Sequence, residues 1–177
     1  MTYPEKHYDI IKALFSEGRF LIEGETAFHC LRDHQEFYQQ FFRETFRLDL
    51  NLKAEYALLK SSKDTDDLAR SICIFLAVMC YELDQDSGNL LEMLAFNTFS
   101  ISEWEERFEQ SSFHNVLEAT DKLRSKSQRL KFYQQINRRR LINRLDDDRF
   151  QFTAAHRYFL EFARDVNMQE MVGKIDA

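Results

Sequence analysis

Apolar residues recur at helical spacing over residues 5–16, at Tyr8, Ile11, Leu14 and Phe15, and Gly18 stands where such a helix stops. Arg19-Phe20-Leu21-Ile22 predicts a short strand ahead of Gly24. Residues 25–46 read as two helices. Asp33 with Glu36 three positions on is a capping-box pattern, which starts the second helix near His34. The apolar side of that helix holds Phe37, Tyr38, Phe41, Phe42 and Phe46. The period then changes to two. Leu48, Leu50 and Leu52 alternate with Asp49, Asn51 and Lys53, and Tyr56, Leu58 and Lys60 mark a second alternating run. Two such runs around a short connection predict a hairpin.

Helix, strand, helix, helix, hairpin is the order of a winged-helix unit. Asp64, Asp66 and Asp67 then precede the most hydrophobic segment, Leu68 to Leu83, and acids at a helix start favour the positive end of its dipole. Apolar residues fall nearly all round this helix, which predicts a central, buried position. A loop over 84–89 and a short helix over Leu90 to Phe96 follow. Residues 101–153 repeat the earlier plan. Ser102 with Glu105 is a second capping box opening a helix with Trp104 and Phe108. Phe113 to Leu123 and Ser127 to Arg140 are the next two helices. Leu141 to Leu145 and Arg149 to Thr153 flank Asp146, Asp147 and Asp148 as a hairpin with an acidic tip. Residues 154–165, with Tyr158, Phe159 and Phe162, form a closing helix.

The expected fold is mainly α with short β-hairpins, an α+β chain of tandem winged-helix domains. Residues 1–63 form the first, 64–100 a central hydrophobic helix and connector, and 101–177 the second. No Pro- or Ser-rich linker separates them.

Charge changes the picture. The formal net charge is −6, but it is unevenly spread. Residues 1–121 hold 11 Lys/Arg against 23 Asp/Glu, residues 122–145 hold 9 basic residues and no acid, and residues 146–177 hold 4 and 7. One short basic island sits in an acidic body. On a helix at 100° per residue, Phe132, Tyr133, Ile136 and, further round, Leu130 share one side of residues 127–140. Lys131, Gln134, Gln135 and Arg138 occupy the other at i, i+3, i+4 and i+7, with Arg139 at the border. An apolar inner stripe with Lys, Gln, Gln and Arg outside suits a helix that faces phosphate or a groove, and it comes just before a hairpin. The acidic tip at 146–148 opposes insertion of that hairpin into a groove. The competing reading of the island is pairing with an acidic partner or with the protein's own acidic half.

Catalytic chemistry finds little support. With 4 Gly and 1 Pro in 177 residues, neither G-x-G-x-x-G nor G-x-x-x-x-G-K-[ST] occurs, and G-x-S-x-G is missing too. The five histidines, 7, 29, 34, 114 and 156, form no H-x-x-x-H, and there is no C-x-x-C. Cys73 and Cys80 stand roughly 10 Å apart along one helix at ~1.5 Å rise per residue, too far for a disulfide. With Cys30 they read as free thiols in a reducing compartment. Met1 to Phe20 carries no signal-peptide core, and the longest apolar run, Ile72 to Tyr81, is ten residues, about half a membrane span. The expectation is a cytoplasmic, non-catalytic protein without cofactor, metal or membrane contact. Seventeen Phe also raise the question of whether one core can bury them all.

The run Ala13-Leu14-Phe15-Ser16-Glu17-Gly18-Arg19-Phe20-Leu21-Ile22 resembles the opening of MukE-type condensin subunits. Phe37-Tyr38-Gln39-Gln40-Phe41-Phe42 ahead of a hairpin ending Tyr56-Ala57-Leu58-Leu59-Lys60 is similar to the same family. So is Arg149-Phe150-Gln151-Phe152-Thr153 followed by Tyr158 to Val166. The shorter length and the missing acidic tail look closer to the MksE branch, with the equivalent subunits of plasmid-defence condensins as a neighbouring alternative. The resemblance implies an accessory subunit of a bacterial SMC-type complex that dimerises, binds a kleisin chain, contributes sequence-indifferent DNA contacts at the nucleoid and leaves ATP hydrolysis to its SMC partner. By position, Lys131, Gln134, Gln135, Arg138, Arg139, Arg140 and Arg144 are the DNA-contact candidates. A free-standing winged-helix transcription regulator is the alternative.

Overall fold

The computed structural model describes residues 3–60, 67–86 and 88–162. The first half runs α1 (His7–Ile11), a π-helical turn over Lys12–Ser16, β1 (Leu21–Ile22), α2 (Thr26–Asp33), α3 (Gln35–Phe46), β2 (Asp49–Leu52) and β3 (Tyr56–Lys60). The second runs α4 (Asp67–Asp84), α5 (Leu90–Phe96), β4 (Phe99–Ser100), α6 (Ile101–Gln110), α7 (His114–Glu118), α8 (Lys126–Arg138), β5 (Ile142–Arg144) and β6 (Arg149–Phe152), with residues 156–162 helical. The chain is mainly helical with two small antiparallel sheets, ordered β1-β3-β2 and β4-β6-β5. The two sheets share one topology: a leading strand from before the helices pairs with the second strand of the hairpin. Leu21 lies opposite Ala57 in one, and Phe99 opposite Phe150 in the other.

Each half has a core. Ile10, Leu14, Leu21, Phe28, Leu31, Tyr38 and Phe42 pack together in the first. In the second, Phe75 of α4 sits among the rings of Phe108, Phe132 and Tyr133, 5.2–5.7 Å between centroids. The hydrophobic helix thus belongs to the second core, and its outer side leaves Tyr81 exposed. Phe20 and Tyr56 cross from the first half into that core. The halves are tied by tilted and edge-on ring contacts of Phe20 with Tyr158 and Phe159, by ion pairs Lys53–Glu161 (3.6 Å) and Glu55–Arg157, and by main-chain bonding described below.

Several expected details are corrected. Asp33 does not cap α3: it is still helical, and the break falls on His34, whose backbone (φ −119°, ψ 36°) offers no side-chain cap. An N-cap needs an extended backbone, which Asp33 lacks. The cap of α6 is Ser100, not Ser102. Ser100 is already extended as the end of β4, and its Oγ accepts from the Glu103 N–H at 3.2 Å. Two overlapping S-x-x-E patterns occur here, and the extended one wins. The helix expected over Phe113 to Leu123 is only α7; Thr120 then bonds its hydroxyl back to the Val116 carbonyl in the turn that follows. Leu130 is exposed rather than turned to the core. Strand β4 has no counterpart among the expected elements. Asp64, Asp66 and the closing helix beyond residue 162 lie outside the described residues.

Candidate nucleic-acid interface

The sequence of α8 separates its two sides cleanly. Phe132, Tyr133 and Ile136 are buried, while Lys131, Gln134, Gln135 and Arg138 are exposed. Ser125 caps the helix, accepting from the Gln128 N–H at 3.4 Å. Among the described residues no carboxylate pairs with Lys131 or Arg138. This face is an uncompensated part of the basic island.

Other members of the island are engaged within the protein. Lys122 pairs with Asp67 at 3.4 Å, and Arg124 bonds Gln128. Arg129 is buried at 1% exposure, where Nε donates to Glu105 at 2.8 Å, Nη1 to the Leu123 carbonyl at 3.0 Å and Nη2 to Glu109. Burial opposes its charge, but the two carboxylates more than offset this and hold the guanidinium firmly protonated. No sequence signal separated Arg129 from its exposed neighbours except its place on the inner side of the helix.

The remaining candidates split. Arg138 and Arg140 are exposed at the end of α8, and Arg140 adopts a left-handed backbone (φ 62°) with its guanidinium on Asn143. Arg139 turns the other way. Its guanidinium donates to the Gly18 carbonyl and its own carbonyl accepts from the Phe20 N–H at 3.0 Å, so it lies in the seam between the halves. Arg144 lies half-buried on β5, its guanidinium on the Asp147 carbonyl and its N–H on the Asn137 side chain at 3.1 Å. Lys131, Gln134, Gln135, Arg138 and Arg140 therefore share the open surface, with Arg144 at the hairpin and Arg139 behind it.

The acidic tip has structural work of its own. Asp148 accepts from the Ser100 hydroxyl at 2.7 Å and the Ser102 N–H at 2.9 Å. Asp146 accepts from the Arg149 guanidinium and from the N–H groups of Asp148 and Arg149. These hydrogen bonds hold both carboxyls below the ordinary aspartate range. Two of the three charges are thus bound into the turn.

The matching helix of the first half is different. Arg43 pairs with Asp49 at 3.3 Å, Gln40 donates to Glu44, and the face carries both signs. Arg47, like Arg140, has a left-handed backbone (φ 58°) just before its hairpin. As for other chemistry, the three cysteines are free, and burial pushes the Cys80 thiol up to about 11. Among the described residues no group of three His, Cys, Asp or Glu could hold a metal ion, and no helix is long and apolar enough to cross a membrane.

A family model for the condensin complex protein MksE matches residues 5–164, which spans both halves, both sheets and α8. No curated protein matches the chain. With nine-tenths of its length inside that match, the chain belongs to the MksE family of condensin complex proteins.

Proposed function

We propose that this condensin complex protein is a non-catalytic accessory subunit built from tandem winged helices. It pairs with a second copy of itself, binds the kleisin chain, and adds sequence-indifferent DNA contacts through α8 of its second half; the SMC ATPase of the complex supplies hydrolysis. The setting is the cytoplasm, at the nucleoid. The observation that carries the DNA role is the unopposed face of Lys131, Gln134, Gln135 and Arg138 on the last helix before the second hairpin. The β1-β3-β2 and β4-β6-β5 orders support the tandem winged-helix reading.

Phosphate contacts set both affinity and its salt dependence. Each neutralised phosphate contributes about −0.9 to the slope of log K against log salt. The variant Lys131→Glu/Arg138→Glu removes two such contacts, so the slope should flatten by about 2, with a loss of affinity that is uniform across sequences. Fluorescence anisotropy with two unrelated duplexes at 50–200 mM salt, as roughly the range over which such terms are resolved, reads both. An unchanged slope would place DNA elsewhere on the molecule. A large preference for one duplex would favour a transcription regulator instead. Kleisin binding is tested by co-expression with the kleisin encoded beside this gene; a wild-type chain that purifies without it refutes that part.

A further inference from the structure

A trough of about 500 Å³ opens where the two halves meet. Its floor is apolar, formed by residues such as Leu14, Leu58, Leu68 and Ile72, and Phe15 and Phe162 stand at its mouth at 45% and 51% exposure. The charged groups that line it are all cationic: Arg19, Lys60 and Arg139. Among the described residues no carboxylate lines it. Of the described acids close to it along the chain, Glu17 and Glu25 pair with Arg19, Glu55 with Arg157, Asp67 with Lys122 and Glu161 with Lys53. Arg19 is thereby neutralised. Lys60 is not: its ammonium lies 4.9 Å from the centre of the Tyr158 ring, held at the rim without a counter-ion among the described residues. Arg139 has one nitrogen on the Gly18 carbonyl and no carboxylate.

An apolar trough in which two cations have no counter-ion among the described residues, in a body that carries 23 acids over its first 121 residues, is a local reversal of sign. It repels nothing acidic at close range and offers large side chains a place out of water. We infer that the trough is a docking site for an acidic, apolar peptide segment of a partner protein, with large apolar side chains seated between Phe15 and Phe162 and a carboxylate at Lys60 or Arg139. The inference rests on the proposed role only in taking the occupant to be a protein partner.

Random 16-residue peptides displayed on phage, selected on the immobilised full-length chain, supply a probe of roughly the length a groove of this class takes. Enriched peptides should combine Asp or Glu with Leu, Ile, Phe or Trp. Measured by anisotropy, the best of them should bind at least about tenfold more weakly to Lys60→Glu and to Phe162→Glu, a loss of about 1.4 kcal/mol. Both side chains are exposed, so circular dichroism should show an unchanged fold, and Arg138→Glu should bind as wild type. Enrichment without acids, or equal binding to the variants, overturns the inference. So does a change in molar mass of the variants by light scattering, which would make the trough a contact between copies. The proposed role fails separately. If the kleisin co-purifies with wild type while the enriched peptides bind Lys60→Glu and Phe162→Glu as they bind wild type, the trough inference falls and the role stands. If the wild type takes neither kleisin nor DNA yet selects acidic peptides through Lys60, the role falls and the trough stands.

Discussion

Replacing Arg129 by Met keeps an unbranched apolar stem and removes the charge from a place where little water reaches. The guanidinium is 1% exposed and the Glu105 side chain 4%. The variant leaves the Glu105 carboxylate between α6 and α8 without its counter-ion, and takes the donor from the Leu123 carbonyl. Breaking a buried pair by removing one partner costs about 3–5 kcal/mol, because the other charge stays behind. The total stability of such a chain is about 5–15 kcal/mol, so roughly a fifth or more is at stake. At roughly 2–4 °C per kcal/mol for this size, the thermal midpoint should fall by about 6–20 °C. Glu109 is the control: its side chain is 55% exposed, and Glu109→Gln should cost about 1 kcal/mol or less. The decisive variant is Arg129→Met/Glu105→Leu. Removing both charges should restore about 2 kcal/mol or more relative to Arg129→Met, since apolar replacements of a buried pair are often neutral. Urea unfolding followed by circular dichroism reads all four proteins, with equal m-values as the check on comparability. An Arg129→Met chain within about 1 kcal/mol of wild type, or a double variant no more stable than the single one, would refute the reasoning.

Three other perturbations follow from single contacts. Gly18 has φ +57°, and a β-carbon there would come within 2.6 Å of the Arg139 Nη1, so Gly18→Ala should destabilise by about 1–2 kcal/mol from backbone strain plus displacement of the guanidinium; urea unfolding checks it. Asp146 and Asp148 have lowered native pKa values, so the stability they confer is present above the ordinary 3.8 and is lost as pH falls through the native value; amide exchange at Ser102 and Arg149 should accelerate only below about pH 4. Burial lowers the pKa of His156 below 6.5, against the opposing bond from Nδ1 to the Thr153 carbonyl, so its contribution is complete above 6.5 and erodes as pH falls below it. Scanning calorimetry from pH 7.5 to 5.5 should show a falling midpoint, less steep in His156→Asn, with half-buried His7, whose pKa burial also lowers, contributing to what remains.

The elements that were legible in the sequence are those with a clear period. The alternation of Leu48, Leu50 and Leu52 and the acid-tipped run at 141–153 yield the two hairpins, and the seven-residue spread of Lys131 to Arg138 yields the exposed face. What stayed hidden has no period to show. Strand β4 is two residues long and exists because Phe150 and Arg149 are beside it. The left-handed turns after α3 and α8 fall on Arg47 and Arg140, where glycine would have advertised them. Arg129 and Arg138 are alike as letters and differ only in the side of the helix they take; the packing of α6 against α8 makes one a buried counter-ion and leaves the other bare. The trough draws on segments from residues 14 to 162, and no local pattern brings Lys60 beside Tyr158.

The seam at Arg139 gives a way to separate contact from placement at the proposed DNA face. The end of α8 is held from both sides: the first half supplies the Gly18 carbonyl and the Phe20 N–H to Arg139, while Thr153 Oγ1 donates to the Arg140 carbonyl. Arg138 and Arg140 therefore extend from backbone that is already fixed, and a ligand meeting them has less ordering to impose. Loosening the seam leaves the number of phosphate contacts unchanged but adds that ordering cost, whereas reversing Lys131 and Arg138 removes contacts outright. The two perturbations must then differ in kind. Gly18→Ala should weaken DNA binding in parallel at every salt concentration, with the slope of log K against log salt preserved, because that slope counts phosphates and not rigidity. If Gly18→Ala flattens the slope as the charge reversals do, the first half touches the nucleic acid itself and does more than hold α8 in place.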